Sequence, residues 1–151
     1  MHKTIISDTS CIILLDKINE LEILNQLFGK IITMPEIAKE FGRQLPSWFE
    51  IQQPKDKNYQ LIIKASVDKG EASAIALAIE SDDCLLVIDD LKGRKFANQL
   101  GLTIIGTIGV IVDAKLAGMI PTVKPILTKI ITTNFRITER LELLILNKAG
   151  E

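Results

Sequence analysis

The sequence predicts an α/β fold built around a mainly parallel sheet. Short apolar runs alternate along the chain with segments of helical periodicity, the order in which crossover helices join parallel strands. The clearest run, CLLVI at 84–88, is apolar without alternation, as in a parallel strand covered on both faces. Carboxylates follow directly on two of these runs, at Asp8 and at Asp89–Asp90. In open α/β sheets ligands bind beyond the carboxyl ends of the strands, where strand order reverses.

The elements follow in order. Residues 3–7 read as a buried strand. A helical pattern runs from Ser10 to about Phe28, broken near Lys17–Asn19. Residues 30–34 form a second short apolar run. Pro35 then suits the first position of a helix and Glu36 its first turn; that helix ends near Gly42–Pro46. Residues 48–52 form a third strand, 59–67 a helix, and Gly70 opens another helix reaching about Ser81. After the strand at 84–88, a helix begins at Asp90 or Leu91 and ends before Gly101. Residues 102–105 are the next strand. Helices follow at about 107–117, 121–131 and 138–148.

Length and composition bound the function. The 151 residues are expected to form one domain with a substantial core. Only 5% are aromatic, so that core should be aliphatic. Cys11 and Cys84 lie in apolar stretches and read as buried thiols in a reducing compartment. His2 is the only histidine, which argues against a Ser-His-Asp triad and against histidine-ligated zinc. The least charged stretch, 100–112, is too short to span a bilayer. The N-terminus lacks the basic and apolar regions of a signal peptide, so a cytoplasmic location is expected. Residues 1–90 carry a balance of −6 and residues 91–151 a balance of +5. An acidic half that holds a cation, beside a basic half, suits a polyanionic substrate. Ordinary solvated surface charge explains the same asymmetry.

Each acid has a structural alternative. Asp8, in DTSC, either caps the following helix or leaves that task to Ser10 and serves as a hard-cation ligand. Glu40, in PEIAKEF, borders the apolar stripe of its helix and either reaches water or turns inward. Glu36 is accepted as a favourable first-turn charge. Glu71, in GEASAIALA, is either a helix N-terminal acid or a ligand. The alanines after it let the helix approach the sheet closely, so the acid can lean over the strand ends. Of Asp89 and Asp90, one caps the next helix, and an Asp89–Arg94 pair accounts for the other. Asp89 is the stronger ligand candidate and Asp90 is close behind. Carboxylates at three element ends and one helix edge, all able to converge on one crevice, are harder to explain by capping alone.

These motifs carry a resemblance. DTSCIILLDK, PEIAKEF, GEASAIALA and LLVIDDLKGRKFANQLGLTIIGTIGVIVDAKLAGMI resemble the successive motifs of PIN-domain proteins. More narrowly, they resemble a small prokaryotic group close to VapC-type toxins. The similarity covers about residues 1–130. It implies a three-layer α/β/α fold and an endoribonuclease dependent on Mg²⁺ or Mn²⁺. It implies that Asp8, Glu40, Glu71 and Asp89 or Asp90 are the site acids, with Thr9 or Ser10 as the hydroxyl beside the first. It also implies an antitoxin-type partner. Many relatives have Asp where Glu71 stands, and Asn or Asp where Lys92–Gly93 stands.

The reaction expected is hydrolysis of an RNA phosphodiester. Asp8, Glu71 and Asp89 or Asp90 would hold one or two cations. Glu40 would complete the site or orient the water. Thr9 or Ser10 would steady a phosphate oxygen, and Lys92, Arg94 and Lys95 would meet the RNA backbone. An exposed basic helix face is the plainer reading of Lys92 and Lys95. A receiver domain would need an acidic pair after the first strand, and an aspartate-nucleophile phosphatase a second Asp where Ser10 stands. GTIG at 106–109 reads as a tight strand-to-helix turn, ahead of a phosphate loop. The main rival is a catalytically weak or inactive PIN-like module acting through protein or nucleic-acid complexes. Ile137, Leu141, Leu144 and Ile145 form a helical stripe that closes the core or makes a dimer face, and a homodimer is expected.

Overall fold

A computed structural model describes residues 4–151. His2, and Lys3 of the expected first strand, lie outside the described residues. The described strands are β1 (Thr4–Ser7), β2 (Ile31–Thr33), β3 (Phe49–Ile51), β4 (Cys84–Val87) and β5 (Thr103–Ile105). They form one parallel sheet in the order β3-β2-β1-β4-β5. All five match the strands that the sequence predicts. The chain winds outward from β1 to β3, returns beside β1 as β4, and then moves out the other way. Strand order therefore reverses between β1 and β4, whose register pairs Ile5 with Leu85 and Ser7 with Val87.

Side chains alternate across a strand, so β1 and β4 build two cores. On one face Ile5, Leu85 and Val87 lie under α2 (Glu22–Phe28), α7 (Thr107–Leu116), α8 (Lys124–Ile131) and α9 (Glu139–Lys148). On the other, Ile6, Leu86 and Ile88 lie under α3 (Pro35–Phe41), α4 (Lys57–Lys64), α5 (Lys69–Glu80) and α6 (Leu91–Gln99). The helix α1 (Thr9–Lys17) serves both, with Cys11 and Leu15 on the first side and Ile12 on the second. This is the expected three-layer α/β/α arrangement.

The departures from expectation are local. Helix α4 starts two residues early because the Asp56 carboxylate accepts from the Asn58 N–H at 2.9 Å. Helix α8 starts at Lys124 instead of Pro121, where the Glu151 carboxylate accepts from the Val123 N–H at 2.6 Å. Cys84 is half-buried, while Cys11 is buried, and both are free thiols. The C-terminal stripe divides: Ile145 and Ala149 enter the core, whereas Leu141 is 38% exposed and Leu144 52%. No helix of the described residues is long and apolar enough to cross a membrane.

Helix α5 matters most for the site. Every residue from Glu71 to Ala78 is buried, and four of the eight are alanines. Their small side chains let the helix lie close on the sheet and bring its first turn to the ends of β1 and β4. Extra methylenes there would push the helix outward. We expect Ala74→Leu, at a fully buried position, to cost about 1–3 kcal/mol in urea denaturation. Ile79→Ala, at a 38% exposed position on the same helix, should cost clearly less.

Candidate metal centre

Asp8 is positioned by the sheet itself. Its N–H donates to the Val87 carbonyl at 3.0 Å, so the residue is still tied to β4 as it leaves β1. Its carboxylate caps α1: Oδ1 accepts from the Cys11 N–H at 3.3 Å. That leaves the other oxygen. Oδ2 is buried and has no hydrogen-bond partner among the described residues, and the residue is 1% exposed. Leaving a buried polar atom unsatisfied is costly. Burial first, and the charge of Asp89 second, raise the Asp8 pKa from 3.8 to about 7; the N–H groups of Cys11 and Asp89 offset part of this.

Beyond β4 the acidic pair divides its duties. Asp90 caps α6, its Oδ2 accepting from the Gly93 N–H at 2.9 Å. Asp89 reaches across to the start of α7. There it accepts from the Thr107 N–H at 2.8 Å and from the Thr107 hydroxyl. Arg94 donates to the Ile88 carbonyl at 2.9 Å, fastening the turn between β4 and α6 from the protein side.

Glu71 lies in the first turn of α5 and is 8% exposed. Asp68 is the N-cap, accepting from the Glu71 N–H at 2.8 Å. Burial raises the Glu71 pKa from 4.5 to about 8, followed by the charge of Asp68, a hydrogen bond to its side chain, and the charges of Asp90 and Asp8. The glycine at 93 makes this contact feasible. A Cβ there would stand 2.9 Å from Glu71 Oε2 and 2.7 Å from Ile88 Cδ1.

A second group meets above Gly70. Thr9 Oγ1, Asp68 Oδ1 and Glu40 Oε2 lie 3.4, 3.7 and 3.7 Å from where a Cβ of residue 70 would sit. Thr9 Oγ1 is buried without a partner, and Glu40 is exposed. Asp8, Thr9, Glu40, Glu71, Asp89 and Asp90 thus surround the ends of β1 and β4. Ser10 does not join them: it is exposed and lines a groove with Ile13, Lys17 and Phe135. Lys92 lines a cavity of about 330 Å³ together with Asp68, Glu71 and Asp90. An apolar cleft of similar volume, lined by Ile5, Phe28, Leu85 and Ile105, opens under α2 and α7. Asp113 is its one acid, so it lacks the groups that hydrolysis needs.

Two contributors escaped the sequence reading. Asp68 carried a legible signal, since Asp-x-x-Glu before an apolar run has the spacing of a capping box. Thr107 carried none, because its contact with Asp89 exists only through the pairing of β4 with β5.

A sequence-family model described as a PIN domain matches residues 4–151. The chain belongs to the PIN-domain family. A search of curated proteins gives no match. PIN domains are generally nucleases, and they typically use divalent metals. The residues of this PIN domain fit such an ion. The donors at the strand ends are all oxygens, the choice of a hard cation. Two of the acids, Asp8 and Glu71, are buried, Glu71 feels the charge of Asp8 after that of Asp68 and Asp90, and Asp8 Oδ2 has no hydrogen-bond partner among the described residues. Among the described residues, no group of three or more acidic, histidine or cysteine side chains stands gathered for ligation.

The raised pKa values fix the sign of a pH effect. In the window between the unfolded and folded values, the folded protein holds protons that the unfolded chain has released. The contribution of these two carboxyls to metal-free stability is therefore greatest below about pH 4 and is lost as pH rises toward about 8, given folded values of about 7 and about 8. Urea titrations in EDTA should show stability falling across that window. Asp8→Asn should flatten the slope, and Mn²⁺ added at the upper end should restore stability to the wild type alone.

Proposed function

We propose that this PIN domain is a metal-dependent endoribonuclease that hydrolyses RNA phosphodiester bonds, working as a VapC-like toxin with an antitoxin protein. One observation carries the reading: a buried Asp8 with an unpartnered oxygen, set beside Asp89 and Glu71 where strand order reverses.

Asp8 and Glu71 would hold Mg²⁺ or Mn²⁺, with Asp90 and Asp89 adding charge from β4. When bound, the cation supplies an acidified water and offsets charge on the scissile phosphate. The protein's groups do the rest. Thr107 fixes Asp89 through two hydrogen bonds, so its charge stays aimed at Asp8. Glu40, exposed on α3 beside Thr9 and Asp68, is free to orient a water or accept its proton. The Thr9 hydroxyl, with no partner of its own, donates to a phosphate oxygen. Lys92 stands at the rim of the same cavity and offsets the charge of the entering strand. Arg94 acts from behind, holding the turn that presents Asp89 and Asp90.

The exposed leucines of α9, Leu141, Leu143 and Leu144, supply an apolar surface for a homodimer or for the antitoxin. Proton release on cation binding ties the reaction to pH. Activity at limiting Mn²⁺ should rise as pH passes through the values near 7 and 8 that Asp8 and Glu71 adopt. The direct test is cleavage of a mixed RNA pool across a Mn²⁺ titration. Wild type should cleave, and Asp8→Asn should lose about 100-fold or more in rate. Cleavage that survives the substitution, or that persists in EDTA, removes the mechanism.

A further inference from the structure

The two edges of the sheet differ. At one edge, β3 carries Glu50, ion-paired to Lys30 at 2.9 Å, and charge of this kind discourages another chain from pairing there. At the other edge, β5 lies in GLTIIG, which has neither a charge nor a proline. Its backbone has free groups. The Ile105 carbonyl accepts from the Ile88 N–H at 2.9 Å, so residues 103 and 105 turn their polar groups toward β4. That direction alternates along a strand, so the N–H and C=O of Ile104 turn outward. Among the described residues no strand lies on that side.

The apolar cleft under α2 and α7 opens beside this edge. Ile5, Leu85 and Ile105 form its floor, and Leu27 and Phe28 at the end of α2 form one wall. Ile104 also lines it, although its side chain packs against the opposite core; what it presents to the cleft is backbone. We propose that edge and cleft together dock an extended segment of a partner protein, which adds to β5 as a further strand, sets an apolar side chain in the cleft and meets Asp113 with a lysine or arginine. The surface is set back from the strand ends, since Ile5 and Leu85 precede Asp8 and Asp89 in their strands, and the proposal does not rest on the nuclease reading.

Three features select the occupant. The outward groups of Ile104 call for a chain in extended form, whose main chain supplies affinity while pockets beside the edge choose its side chains. The cleft, of about 330 Å³, has room for a large aliphatic or aromatic side chain and rewards its burial. Asp113 supplies the charge preference. It is the sole charged group of the lining, it is exposed, and among the described residues it has no ion pair. Its place is set by Gly109, one turn earlier on the same face of α7. A Cβ on Gly109 would stand 2.7 Å from Ile105 Cγ1, so the helix lies close on β5 and holds the carboxylate beside the edge. Residues two apart in a strand face the same way, so an apolar and a basic residue in that spacing would reach the cleft and Asp113 together. A second copy of this chain fits less well. Two β5 edges joined about a two-fold axis would place both Asp113 carboxylates on one face of the seam, and like charges so placed oppose pairing.

The test uses the full chain as bait for a phage-displayed library of short random peptides. Enriched peptides should share an apolar residue and a Lys or Arg two positions apart. One of them, made synthetically with a fluorophore, would be titrated by anisotropy. Asp113→Lys, a change at an exposed position, should weaken it by at least about tenfold. Methylating alternate backbone nitrogens of the peptide in one register should weaken it by about tenfold or more, and in the other register much less, because only one set faces β5. Glu139→Lys, at an exposed acid on α9, is the control and should leave binding unchanged. Failure of the library to yield such a family overturns the proposal, as does binding that ignores Asp113→Lys. Dependence on Asp113 without sensitivity to N-methylation in either register means a side-chain pocket and overturns strand addition. A dimer of the wild type in sedimentation that Asp113→Lys alters assigns the edge to a second copy and overturns the partner segment.

Discussion

The pairing of β1 with β4 is the constraint on which the site depends. Ser7 lies opposite Val87, and the Asp8 N–H continues the ladder into the Val87 carbonyl. Two carboxylates far apart in sequence, Asp8 and Asp89, are thereby forced close together at the end of a buried sheet. The strands cannot slip to separate them, because a one-residue shift would turn Ile6 and Leu86 out of their core. Burial first, and the like charge of Asp89 second, disfavour the ionised state, and the raised pKa of Asp8 records that cost. The fold tolerates the cost because capping, backbone donors and the Thr107 clamp each satisfy part of the cluster.

The other acids arrive by different routes. Glu71 comes on a helix whose alanines allow a close approach, and Gly93 leaves the space its side chain fills. Glu40 comes from α3 and remains in water. The site thus has a buried half, Asp8 and Glu71, and an exposed side, Glu40 and Lys92. A cation bound at the buried half and a substrate entering from the exposed side would meet between them. On the proposed reading, the deep acids would set affinity for the ion, and the outer groups would set contact with the polyanion.

Much of this was legible in the chain. The five predicted strands became the five strands of the sheet because each segment is too short to form an amphipathic helix. The break near Lys17–Asn19 became the turn between α1 and α2. What periodicity could not reveal was contact between elements. Ser10 and Thr9 are adjacent in sequence, yet the helical twist sends Ser10 to another groove and leaves Thr9 at the acids. Asp89 and Asp90 were indistinguishable as letters. Their division of labour follows from where α6 and α7 begin, with Gly93 capped by one and Thr107 clasped by the other. The Asp89–Arg94 pair that spacing suggested gave way to a bond between Arg94 and the Ile88 carbonyl. The terminal stripe divided because α9 lies along the edge of the core, so that only Ile145 and the far end of the helix are covered.

The central claim is that the buried acids exist to take up a doubly charged ion. The most direct measurement is an anomalous difference map from crystals grown with Mn²⁺ near pH 8. A strong peak within coordination distance of Asp8 Oδ2, with Glu71 turned toward it, is the predicted result. A map in which Mn²⁺ occupies other sites while Asp8 Oδ2 stays unliganded would contradict the claim.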